Sequence, residues 1–281
     1  MAMKPAHVIT PGDLRGEVIS DDVNPDRYET SYLAEGDSWF SAGALPSSNI
    51  LYELRLPQRT LVLSLARPGQ TLVHMSTISR SNFLKYYLTE ERNTWKWTAI
   101  LLSGGGNDLI DRIGAIVQHG TGSNPASYIN EDELSTVCNE IVEGYKRIVA
   151  VRDVPNGMNN GVPIFLHTYD RVTPRDAPSR AGVIPVAGPW LIDTLEECEI
   201  HDPRLQCAVA DQVFDRLTNT LLSLQTQLPN FHVVATTGTL ARADSGTTGN
   251  SRDWLNEIHA NRRGYKKISR TFNFAPPGRS K

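Results

Sequence analysis

Short apolar runs punctuate the chain: SYLAEGD near 31–37, RTLVLSLA at 59–66, WTAILLSGG at 97–105, VPIFLHTYD at 162–170 and NFHVVATTG at 230–238. Their hydrophobicity is continuous rather than alternating. That is the pattern of strands covered on both faces, as in a parallel sheet. The stretches between them, roughly 48–57, 78–91, 108–118, 131–153 and 208–227, can carry helices. The clearest is DELSTVCNEIVEGYKRIVAVRD, in which Val137, Ile141, Val142, Tyr145, Ile148 and Val149 recur at helical spacing. Strand and helix alternating in this way predict a three-layer α/β/α domain with a mainly parallel, five-stranded sheet and right-handed crossovers.

Two stretches interrupt the rhythm. Residues 119–130, HGTGSNPASYIN, are rich in Gly, Ser and Asn, and residues 170–207 carry prolines at 174, 178, 185, 189 and 203. Open α/β sheets bind ligands at the carboxyl ends of their strands. Both insertions are therefore candidates for pocket walls or a lid, and equally for plain surface loops. Residues 1–30 show no clear element and read as an N-terminal extension that wraps the domain. Residues 31–281 read as a single domain.

Composition narrows the partners. The 281 residues are 40% hydrophobic and 21% charged, enough for a sizeable core. Lys and Arg total 28 against 31 Asp and Glu, a net charge of −3. This balance offers no case for nucleic acid or an anionic membrane surface. Cys138, Cys198 and Cys207 are odd in number and lack C-x-x-C spacing. Neither a disulfide framework nor a zinc knuckle is implied. The N-terminus has no apolar segment of signal-peptide length, and no run of 18 apolar residues occurs. A cytoplasmic protein without integral membrane association is expected. No ligand cluster for zinc or calcium stands out, and no cofactor is implied. Oligomeric state has no signature in the sequence.

The candidate chemistry sits where the strands end. Gly36-Asp37-Ser38 follows the first run, and the pattern suits either an ordinary turn or an exposed nucleophile. A nucleophilic serine needs a base and donors for an oxyanion. His259, in DWLNEIHANRR near the far end of the chain, is the best base. Gly69 follows the second run, where a glycine lets a backbone N–H approach a ligand closely. After the third run, SGGGND places Asn107 where its carboxamide can face a developing negative oxygen. The same run also reads as a plain strand-to-helix turn with Asp108 as N-cap. It lacks the endings of a P-loop or a dinucleotide site. Phe40, two residues after Ser38, argues against the G-x-S-x-G elbow of α/β-hydrolases.

GDS, then Gly, then GGND, then a late His, in that order and at strand ends, resembles the block pattern of the SGNH (GDSL-like) hydrolases over residues 31–270. The resemblance implies a flavodoxin-like α/β/α sandwich that hydrolyses carboxylic esters or thioesters through an acyl-enzyme. It makes Ser38 the nucleophile and His259 the base. Ser38 N–H, Gly69 N–H and the Asn107 side chain would form the oxyanion hole, with Asp37 and Asp108 as supports. The pattern departs at D-x-x-H, where the position three before the histidine is Asn256. Asn256 or Asp253 would orient His259, with Asp253 preferred if its loop turns inward; Glu257 is a further carboxylate nearby. Trp39 could line an acyl pocket or belong to the core, as Phe40 should, and Trp190 could overhang the site. The substrate would be a small-molecule, lipid or carbohydrate ester. Two alternatives use the same residues: an acyltransferase with an alcohol acceptor, and a non-catalytic binding module on the same fold.

Overall fold

In a computed structural model, residues 2–15, 25–41, 48–77, 83–89, 95–181 and 184–272 are described. The expected strands form β2 (Thr30–Gly36), β3 (Thr60–Ser64), β4 (Ala99–Ser103), β5 (Ile164–His167) and β6 (Phe231–Val234). A further strand precedes them: β1 (His7–Ile9) pairs in parallel with β3. The sheet order is β6-β5-β4-β2-β3-β1, with every pair parallel. The sheet therefore has six strands rather than the expected five. The first 30 residues supply its edge. A three-residue strand between Pro5 and Pro11 is too short to show periodicity, so pattern alone passes over it.

β2 is buried along its whole length between β3 and β4. That position explains the apolar centre of the strand, Tyr32-Leu33-Ala34, and places its carboxyl end at the middle of the sheet. On one face, the helix Glu131–Arg152 packs against Pro203–Gln227 and Leu72–Ser76. The helix Arg262–Thr271 covers the other side and packs on Ile50–Glu53. The long helices start on side-chain caps, Asn130 to Glu133 N–H and Asp202 to Arg204 N–H. The stretch 48–57 yields only the short helix Ile50–Glu53 before turning into a two-residue strand, Arg55–Leu56. The stretch 108–118 splits into Gly106–Ile110 and Ile113–Ile116. Of the stretch 78–91, only the helix Phe83–Thr89 lies within the described residues. No helix among the described residues is long and apolar enough to cross a membrane.

Candidate active site

Ser38 leaves β2 on a tight turn. Asp37 N–H still bonds to Ser103 O on β4 at 3.1 Å, and Asp37 O then accepts the N–H groups of Phe40 and Ser41 at 3.1 and 3.0 Å. The Asp37 carboxylate accepts Trp39 N–H at 2.9 Å, which closes an Asx turn around Ser38. Gly36 is required just before it, because a Cβ there would lie 2.6 Å from Ser103 O.

Asp37 is buried and anchored from below. Ser103 Oγ donates to Oδ1 at 2.6 Å, and Tyr169 Oη donates to Oδ2 at 2.5 Å. His167 completes the network. Its Nδ1 lies 3.2 Å from Tyr169 N–H, which can only donate, so the proton sits on Nε2 and is given to Ser103 Oγ at 2.8 Å. Burial drives the imidazole of His167 down to about 3, so it stays neutral. Burial also raises the Asp37 carboxyl, opposed by the hydrogen bonds from Ser103, Tyr169 and Trp39. Ser103, His167 and Tyr169 carry no motif; only their convergence on Asp37 gives them meaning.

His259 reaches Ser38 across 221 residues of chain: Nε2 lies 2.7 Å from Ser38 Oγ. On the other side of the ring, Nδ1 lies 3.1 Å from Asn256 Oδ1. That oxygen also accepts the N–H groups of Ile258 at 3.1 Å and His259 at 2.8 Å, which fixes which end of the amide it is. An amide oxygen only accepts, so the ring proton sits on Nδ1 and Nε2 is free to take the serine proton. Burial pushes the imidazole down to about 4. Asn256 Nδ2 is buried and has no hydrogen-bond partner among the described residues.

Asp253, the preferred orienting residue on sequence grounds, points elsewhere. Its Oδ1 accepts from Arg263 Nε at 2.7 Å, and its Oδ2 from Ala241 N–H at 2.7 Å and Lys267 Nζ at 2.5 Å. Burial would raise its pKa, but Lys267, the Ala241 N–H and Arg263 together hold it below the usual carboxylate range. The two cations come from the first turns of the helix that follows His259, and they draw the carboxylate away from the imidazole. Glu257 is likewise occupied. It accepts the N–H groups of Trp190, Leu191 (2.9 Å), Ile192 (3.0 Å) and Arg175 (3.1 Å). It thereby ties the Trp190 segment to the His259 loop and sets the Trp190 indole edge-on to the imidazole, 5.5 Å between ring centres.

The remaining motif residues meet at the same place. Gly69 stands at φ +70° with open space where a Cβ would be, a backbone conformation that favours glycine. Asn107 Nδ2 donates to Gln70 O at 3.0 Å. Asp108 accepts Leu72 N–H through both oxygens, at 3.0 and 2.8 Å. Asp108 therefore does not cap its own helix: Gly105, at φ +100°, holds that position. Asn107 and Asp108 together pin the Gly69 loop. Neither Ser38 N–H nor Gly69 N–H has a protein acceptor among the described residues.

Ser38, Gly69, Asn107, Trp190 and His259 line one cleft of about 240 Å³. A small recess of about 20 Å³ opens on the other side of Ser38, lined by Asn107, Ile110, Tyr169 and Phe214. Trp39 touches this recess but is essentially core. It is 5% exposed and packs on His167, Tyr169, Trp254 and Tyr265. Phe40 is buried against His167 and Phe272. The 119–130 loop contributes no residue to either space, whereas the 170–207 stretch contributes to both.

No family model and no curated protein matches the sequence. Solved structures do match. A lipase from a goat rumen metagenome aligns over 89% of this chain and 99% of its own, at 16% identity and TM-score 0.53. An extracellular lipase from Streptomyces rimosus covers 87% of this chain and 98% of its own, at 12% identity and TM-score 0.48. A phospholipase A1 from Streptomyces albidoflavus covers the same shares at 13% identity and TM-score 0.48. At such identities the likeness speaks to architecture alone, and of these three only the rumen lipase superposes well enough to support it. Six parallel strands with helices on both faces, and the Ser38, Gly69, Asn107 and His259 segments following β2, β3, β4 and β6, give this chain the α/β/α fold that it shares with the rumen lipase.

Proposed function

We propose that the protein is a serine hydrolase that cleaves carboxylic esters through an acyl-enzyme on Ser38. The observation that carries this is the single hydrogen-bonded line Ser38 Oγ, His259 Nε2, His259 Nδ1, Asn256 Oδ1, at 2.7 and 3.1 Å. It opens on a cleft that Gly69 and Asn107 also line. In this reading His259 takes the Ser38 proton as Oγ attacks the acyl carbon. Ser38 N–H, Gly69 N–H and Asn107 Nδ2 hold the oxyanion. His259 returns the proton to the departing alcohol, then activates water to release the acid. Asn256 orients the ring but supplies no negative charge to the imidazolium.

The direct test is a fluorophosphonate probe. It is expected to label Ser38, seen as one modified peptide by mass spectrometry, and to block p-nitrophenyl acetate hydrolysis in proportion. Labelling that persists in Ser38→Ala would sink the assignment. A second test separates the two candidate orienting residues. Asn256→Ala should lower kcat by about tenfold or more, because a freed ring loses its tautomer and aim. Asp253→Asn should leave kcat nearly intact and lower the unfolding midpoint, since its carboxylate serves Arg263 and Lys267. The reverse pattern would return the orienting role to Asp253.

The pH dependence follows from the depressed imidazole. The base works only when neutral, so kcat/KM should rise with pH through about 4 and be level by neutrality. In Asn256→Asp a carboxylate faces Nδ1 and favours imidazolium, so the acid limb should move to higher pH. An unmoved limb would mean that another group limits the rate.

A further inference from the structure

The cleft has a chemical bias that the catalytic line does not use. None of its described lining residues is Lys, Arg, Asp or Glu. Beyond Ser38, Gly69, Asn107 and His259 the wall is Pro68, Val186, Ala187, Trp190, Ile258 and Tyr265, with the two small hydroxyl residues Ser41 and Ser179. Val186 and Ala187 belong to a short strand, Ile184–Ala187, paired antiparallel with Ser179–Ala181. All of its residues are exposed. Ile184 and Val186, at 65% and 61% exposed, are the most exposed large apolar side chains among the described residues. Solvated apolar side chains usually lie scattered, and a cluster of them marks a binding surface. Here the cluster continues an uncharged cleft that ends at the nucleophile.

Resting on the esterase reading above, we propose that this ribbon is the wall for an aliphatic acyl chain, and that the substrates are neutral esters of medium-length or longer acids. The volume supports a chain that outgrows the cleft. About 240 Å³ is small for a ligand pocket, since such sites typically span roughly 300–1,000 Å³. An acetyl group fits inside. A longer chain leaves past Val186 and lies on Ile184, where each methylene removed from water gains about fourfold in binding. Where the chain would leave the cleft, the Ile184 and Val186 side chains offer a carbohydrate no polar partner, and none of the described lining residues offers an anionic acyl group a cation.

The test is the ratio of kcat/KM for p-nitrophenyl octanoate to that for the acetate, with octanoate kept monomeric. In the Ile184→Ser/Val186→Ser double variant this ratio should fall by about tenfold or more, the equivalent of about two methylenes returned to water. A ratio within about twofold of wild type would overturn the proposal. So would an effect confined to octanoate above its aggregation concentration, which would make the ribbon a docking surface for lipid interfaces instead. A parallel titration is independent of turnover. Tryptophan fluorescence of Ser38→Ala with p-nitrophenyl octanoate should give a Kd that the ribbon substitutions weaken by about tenfold. If wild type shows no Ser38-dependent hydrolysis, the esterase reading fails by itself, and the titration still decides the wall: equal Kd values reject it.

Discussion

Ser38→Ala is expected to lower kcat for p-nitrophenyl butyrate by on the order of 10⁵–10⁶, and His259→Ala by a similar amount. The double variant should be scarcely worse than either single one. Oγ and Nε2 stand 2.7 Å apart, and in the proposed mechanism they act as a unit: without the imidazole, Oγ keeps its proton, and without Oγ, the imidazole has nothing to activate. The residual rate should come from the proposed oxyanion donors, which neither substitution removes. Steady-state rates on purified protein, checked against the fraction of sites that take the probe, measure all three. Losses that multiply in the double variant would show that the two residues act independently, contrary to a shared proton path. Neither residue is expected to hold the fold, since the buried Asp37 network lies beneath Ser38 and makes its bonds through Asp37, Ser103 and Tyr169.

The second large effect belongs to Asn107. Asn107→Ala should cost about 10²–10³ in kcat with little change in KM, because the proposed role of its Nδ2 is to meet charge that arises only in the transition state. One amide proton is committed to Gln70 O at 3.0 Å, which orients the group. No other acceptor for this amide is found among the described residues, and Asn107 lines the cleft with Ser38 and Gly69. The substitution also removes a strut of the Gly69 loop, but Asp108 still holds Leu72 N–H through both oxygens. The urea midpoint should therefore move little. A drop confined to KM would make Asn107 a ground-state binder, and a large midpoint shift with unchanged kcat would make it structural.

The sequence by itself determined the architecture of the centre and the ends of its strands. Short apolar runs at this spacing mark the central strands, and because those strands are all parallel their carboxyl ends lie along one edge, where the GDS, Gly and GGND segments follow β2, β3 and β4 and the segment after β6 brings in the late His. The placement of Ser38, Gly69 and Asn107 just beyond β2, β3 and β4 was legible for that reason. What stayed illegible is of two kinds. Very short elements escaped, such as the edge strand His7–Ile9, because three residues carry no period. So did every choice made by side-chain partners remote in sequence. Asp253 and Asn256 were both credible beside His259, and only Arg263 and Lys267, brought round by the following helix, draw the carboxylate away and leave Asn256 on the ring. Glu257 shows no sign in the sequence that it gathers N–H groups from Trp190 to Ile192. His167 shows none that it backs Asp37 through Ser103. Local pattern reports how much surface each segment must bury; which donor meets which acceptor is decided by desolvation and geometry once the segments are packed, and that is a property of the tertiary structure alone.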